Sequence, residues 1–132
     1  MLKTKVAALL GRMLFAALFV SAAPAHFSQE MIAMATQQGV PFASLLVPLS
    51  GLLALAGGLS ILVGFRARIG AALIVIFLLP VTLAMHRFWA AADPMTMQLH
   101  LVMFMKNLAL AGGALFIAAF GAGPLSLDAQ QA

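Results

Sequence analysis

Four long apolar stretches divide the chain, at about 6–25, 45–65, 69–89 and 99–120, with short polar punctuation between them. Each is close to the ~20 residues that cross a ~30 Å hydrocarbon core at a helical rise of ~1.5 Å per residue. Inside hydrocarbon a backbone must satisfy its own N–H and C=O groups, so each stretch is predicted to be a helix. The connection at 26–44 carries a weaker helical signal. Ser28 suits an N-cap, Glu30 a first turn, and Gly39 with Pro41 a stop. Phe27, Met31 and Met34 fall on one face, with Gln29, Glu30 and Gln37 elsewhere. That pattern predicts a short helix lying on the bilayer surface, with an ordered loop as the alternative.

Details within the stretches sharpen the architecture. Gly51, Ala54 and Gly58 recur at spacings of three and four, a smooth stripe on which another helix backbone can lie closely. Pro80 falls well inside the third helix, where it removes the bond to the Ile76 carbonyl and is expected to kink the axis. Asp93-Pro94 reads as an N-cap followed by an N1 proline, which moves the start of the fourth helix back to about 94. Ala109, Gly112 and Gly113 suggest a second small-residue stripe in that helix. Short connections then imply an all-α, up-down four-helix bundle in one domain spanning residues 1–132. Lys3, Lys5, Arg66 and Arg68 cluster at one end of it. By the positive-inside rule both termini are expected on the cytoplasmic side, with 26–44 and 90–98 facing outward.

Composition supports the same class. Apolar residues make up 64% of the chain and charged residues 8%, against the roughly 25% charged of a soluble domain. The net charge of +4 rests on seven basic residues, several within apolar runs, which makes no nucleic-acid surface. There is no cysteine, so disulfides and thiolate metal sites are excluded. Lys3 and Lys5 ahead of an apolar run that ends in Ala23-Pro24-Ala25 also resemble a secretory signal, but Arg12 interrupts the run.

The unusual residues gather toward one end of the third and fourth helices. His86, Arg87, Phe88 and Trp89 close the third, Asp93 caps the fourth, and His100, Lys106 and Asn107 lie along it. An ionisable group within a membrane segment points to a functional site unless its charge snorkels to the headgroups. Arg12 is near enough to its helix end to snorkel or to pack against a neighbour. Lys106 is deeper, and Asn107 needs a hydrogen-bond partner, for which Asp93, Thr82 and His86 are the candidates. Trp89 and Phe88 also suit an aromatic belt at the membrane boundary. Met95, Met97, His100 and Met103 offer thioether and imidazole groups of the kind that bind Cu(I), though they scatter around the helix and methionine is a common filler of apolar space. No carboxylate pair, nucleophile–base pair or phosphate-cradling loop occurs, so no catalytic residues are assigned.

Several short pieces, in order, resemble the DoxX family of small four-helix bacterial inner-membrane proteins. They are Leu10-Gly11-Arg12, Gly39-Val40-Pro41, Gly57-Gly58, Gly64-Phe65-Arg66-Ala67-Arg68, His86-Arg87-Phe88-Trp89, Phe104-Met105-Lys106-Asn107-Leu108-Ala109-Leu110, Gly112-Gly113 and Gly121-Ala122-Gly123-Pro124-Leu125-Ser126-Leu127-Asp128. The resemblance implies that the first helix is retained. It further implies an accessory or anchor subunit of a membrane redox complex, or a quinone-handling subunit with His86, Arg87, Trp89, Asp93, His100, Lys106 and Asn107 as its site. Partners would be the lipid bilayer and a redox protein or a second copy; a small-solute or copper-handling protein is the third reading. Many relatives carry an acid in the second helix just before the paired glycines, where this chain has Ala54 and no acid anywhere from Pro41 to Val81.

Overall fold

The computed structural model describes residues 1–131. Its α-helices are α1 (Leu2–Ala22), α2 (Gln29–Gln37), α3 (Ala43–Val63), α4 (Ala67–Met85), α5 (Pro94–Phe120) and α6 (Leu127–Gln130), with 3-10 turns at Ala23–Phe27 and Phe88–Ala90. Four segments are long and apolar enough to cross a membrane: Leu2–Phe27, Ala43–Val63, Ala67–Ala90 and Pro94–Phe120. They form the predicted all-α bundle. α1 packs on α3, α3 on α4 and α4 on α5. α1 and α5 meet through Phe15, whose ring lies against Gly113.

The core is built from small side chains. Ala16, Ala54, Ala71, Ala111 and Ala114 are buried together, and Phe19, Ile61, Ile74, Phe77 and Leu78 fill the space between them. Lipid tails are as apolar as leucine, so helix association here depends on close packing rather than on escape from water. The tightest approach joins α3 to α4, where a Cβ on Gly57 would stand 2.8 Å from the Gly70 carbonyl oxygen. Leu14, Leu52, Ile76, Leu83, Leu115 and Phe116 cover the outside, where lipid replaces water.

The turn between α3 and α4 is closed by local chemistry. Gly64 takes φ +70°, a left-handed conformation that side chains rarely adopt. The N–H of Phe65 reaches back to the Ser60 carbonyl and that of Gly64 to Ile61, a Schellman-type helix stop. The Ser60 hydroxyl donates to the Phe65 carbonyl at 2.6 Å. Arg66, a non-glycine residue at φ +48°, then begins α4.

Several expectations hold and several need correction. The stripe at Gly51, Ala54 and Gly58 is buried, as predicted. A helix does form after α1, with the Ser28 hydroxyl accepting from the N–H of Met31. Its packed face is Met31, Ile32 and Ala35, set against Ala43, Val47 and Met85, while Phe27 and Met34 stay exposed. α4 ends at Met85 instead of near 89, because His86 (φ −122°, ψ 48°) and Arg87 (φ −78°, ψ 78°) leave helical geometry and turn Phe88 and Trp89 across α5. The α5 stripe holds only at Gly113, which lies against Phe15. Asn107, Ala111 and Ala114 are buried, whereas Gly112 faces open space and Ala109 is exposed. α3 also contains a proline that the sequence reading passed over, Pro48, one turn before Gly51.

Candidate functional site

The bundle has two unlike ends. Its terminal end carries Met1, the α3–α4 turn and α6; its loop end carries α2, the 3-10 turns and the start of α5.

At the loop end the structure brings together part of the predicted set. The His86 and His100 rings lie 5.9 Å apart, centre to centre, tilted by 47°. Beside them Phe88, Trp89 and Phe104 form an aromatic trio with centroid separations of 5.1, 5.3 and 6.0 Å, all near edge-to-face, the geometry that the ring quadrupoles favour. The break in the chain after Met85 creates this grouping. A continuous helix to residue 89 would have aimed Phe88 and Trp89 in different directions. Arg87 reaches the other way and donates to the Gln38 carbonyl at 2.5 Å, joining the α4–α5 connection to the end of α2.

The polar atoms of this cluster are incompletely paired. Nδ1 of His86, Nδ1 of His100 and Nε of Arg87 are buried with no hydrogen-bond partner among the described residues. A buried unpaired donor or acceptor costs about 1–3 kcal/mol. Two of these, on the facing His86 and His100 rings, lie side by side, while the Arg87 nitrogen belongs to the arm that reaches α2.

Other predicted members stand apart. Lys106 is exposed and its neighbour Asn107 is buried, so they point to different surroundings. Thr82, offered as a partner for them, turns its hydroxyl back to the Leu78 carbonyl at 2.6 Å. Asp93 caps α5, accepting from the N–H of Thr96 at 2.9 Å; these bonds hold its carboxyl below the usual aspartate range. It stands thirteen residues before Lys106, roughly 20 Å at ~1.5 Å per residue, too far to pair with it. Met95 and Met97 are exposed on the first turns of α5, and Met103 is half-buried two turns further on.

Beneath α2, an apolar cavity of about 280 Å³ opens between α3 and α4, lined by His26, Met31, Ser50, Phe77, Pro80 and Met85 among others. His26 escaped the sequence reading because a lone histidine at a helix end carries no pattern. Its ring packs edge-on to Phe77 at 5.5 Å and its Nδ1 lies 3.3 Å from the Ala22 carbonyl. A carbonyl can only accept, so Nδ1 must carry the proton of that bond.

The terminal end is a closed clasp. Arg12 donates to the carbonyls of Ala122 at 2.7 Å and Leu125 at 2.8 Å. The carboxylate of Asp128 accepts the N–H groups of Arg66 at 2.6 Å and Ala67 at 3.0 Å, capping α4 from more than sixty residues away. Ser126 accepts from the N–H of Ala129 and donates to the Gly123 carbonyl. Arg12 therefore packs rather than snorkels. Ala8 also faces Gly123, so α1 begins beyond the clasp and the arginine sits at the end of the bundle, where its charge is tolerated.

Comparison with known proteins accords with this fold. The inner membrane protein YqjF of Escherichia coli (strain K12) is 36% identical over 129 residues, covering 93% of this chain and 90% of that one. No solved structure matches. The DoxX family profile matches residues 7–87, α1 through the start of the histidine–aromatic corner. The chain belongs to the DoxX family.

Proposed function

We propose that this protein is an accessory subunit of an inner-membrane redox complex and that its loop end receives the head group of a quinone. The observation that carries the reading is the pair of buried, unpaired nitrogens on the neighbouring His86 and His100 rings. A quinone presents two carbonyl oxygens, which accept hydrogen bonds, on a flat ring that suits the neighbouring faces of Phe88, Trp89 and Phe104. Histidine can also exchange the proton that accompanies quinone reduction, because its unperturbed pKa lies near neutrality. Lys106, exposed further along α5 from His100, adds a positive charge to the same helix. Lys3, Lys5, Arg66 and Arg68 mark the opposite end, which supports cytoplasmic termini and an outward-facing quinone site.

The test uses the purified full chain in mild detergent with a short-chain quinone analogue. The wild type is expected to bind it, and His86→Ala and Lys106→Met to weaken binding about tenfold each, or ~1.4 kcal/mol. Binding unchanged in both variants would overturn the quinone site. The subunit role is tested separately, by crosslinking in native membranes. A reproducible partner protein is expected, and repeated recovery of this chain alone rejects that role.

A further inference from the structure

The clasp at the terminal end engages Arg12 and Asp128 but not the side chains of Arg66 and Arg68. Arg66 and Arg68 flank a cleft of about 530 Å³ whose remaining walls include Ile69, Phe120 and the backbone of Gly121 and Gly123. We propose that this cleft binds the phosphodiester head group of an anionic membrane lipid between the two guanidinium groups.

The charge balance points to an anion. The chain has three acidic residues. Glu30 lies in α2 and Asp93 caps α5, both at the loop end. Asp128 borders the cleft with its carboxylate oxygens turned to the N–H groups of Arg66 and Ala67, and its single negative charge stands against two guanidinium charges. Among the described residues no other side-chain carboxylate lies at this end. Arg66 is held over the Phe65 ring at 5.6 Å, and Arg68 runs along the Gly121 backbone, where a Cβ would stand 3.5 Å from its Nε. Guanidinium forks match phosphate oxygens in pairs, which a lysine ammonium does not.

The position points to a lipid. The cleft lies at the mouth of the bundle, where α4 begins and α5 ends. Exposed Ile69 and Phe120 border it. A ligand seated there has its anionic group between arginines and its apolar part against those side chains. Basic pockets at helix ends are recurrent sites for anionic head groups, and the volume lies within the ~300–1,000 Å³ of small-ligand clefts. The site is at the opposite end from the proposed quinone corner, so either can fail without the other.

The experiment measures thermal unfolding of the full chain in detergent with added phosphatidylglycerol, phosphatidylcholine or inorganic phosphate. A ligand that binds only the folded state raises the midpoint with its concentration. Phosphatidylglycerol is expected to raise it by several degrees and the other two to leave it in place. Arg66→Gln/Arg68→Gln should abolish that response, and Lys3→Gln/Lys5→Gln should keep it. Neither arginine side chain belongs to the clasp, so the double variant is expected to fold; Arg68→Gln alone serves if it does not. A response that survives in the arginine variants overturns the proposal. So does an equal response to phosphatidylcholine, or a full response to inorganic phosphate, which would make the site one for a soluble anion.

Discussion

The two ends of this bundle solve the same problem in opposite ways. At each, charged or polar side chains meet the edge of an apolar core. At the terminal end Arg12 reaches the Ala122 and Leu125 carbonyls more than a hundred residues away and Asp128 caps α4 from 62 residues away, with only Nε of Arg12 left buried and unpaired. At the loop end His86, His100 and Arg87 retain buried nitrogens without partners. A satisfied polar network fixes a structure, whereas unmet hydrogen bonds lower stability and persist where they serve a ligand. The contrast is one of degree: the terminal end is largely paired and holds the chain together, and the proposed binding role falls to the loop end.

The largest effect is expected from breaking the clasp. Arg12→Leu strands two carbonyls and unties the tail from α1. Hydrogen bonds to a charged group contribute about 1.5–3 kcal/mol each, so a loss near 3 kcal/mol is expected. Thermal unfolding in detergent should show a clear drop in midpoint with quinone-analogue affinity preserved. Arg12→Lys should recover only part of the loss, because one ammonium cannot span both carbonyls. Gly64→Ala comes next, at roughly 1–3 kcal/mol. Its added Cβ takes φ +70° and collides with Ser126, so turn and tail are strained together. An unchanged midpoint in either variant would remove the claim that the terminal end carries the stability.

The loop end should respond in the opposite sense. His100→Leu replaces a ring that has an unpaired buried nitrogen by an apolar side chain. Such exchanges are nearly neutral or stabilising. The midpoint is expected to stay within about 0.5 kcal/mol of wild type or to rise, while binding of the quinone analogue is lost. A large destabilisation would show that His100 has a structural partner and would erase the contrast between the ends.

How much of this was legible in the sequence follows from the range of the forces involved. The four spans, the Ser28 and Asp93 caps and the α3 stripe depend on local spacing, and all appear as read. The α5 stripe was right only at Gly113, because several small residues lie around that helix and only the neighbours decide which face is buried. The end of α4 was misread because no proline or glycine stops the helix at 86–89; the bond from Arg87 to the Gln38 carbonyl and the packing of Phe88 on Phe104 accompany the break. The grouping of His86 with His100 could be expected from their places at facing helix ends, but its separation from Thr82 and Asp93 could not. The clasp was visible only as three disconnected family-like pieces, around Arg12, Gly64–Arg68 and Gly121–Asp128. Nothing in their spacing shows that they meet.

The smallest expected effect concerns the two aspartates, which cap helices at opposite ends. Asp128 caps α4 from a distant part of the chain, while Asp93 caps the helix that follows it directly. The Asp93 carboxyl is held below its usual range, chiefly by the bonds from Thr96. A depressed folded-state pKa means that its contribution is present above the ordinary aspartate value, ~3.9, and fades as pH falls through the lower folded value. Because Asp93 is exposed, the change should be confined to the first turn of α5. Faster amide hydrogen exchange at Thr96 and Met97 is expected on acidification, with the global unfolding midpoint unaffected by this group. Asp93→Asn retains an acceptor for Thr96 without the charge, so its exchange should be nearly independent of pH over that range. If acid instead speeds exchange equally in Asp93→Asn, the cap is not the titrating element. The loop end would then owe its acid sensitivity to a group outside the α5 cap.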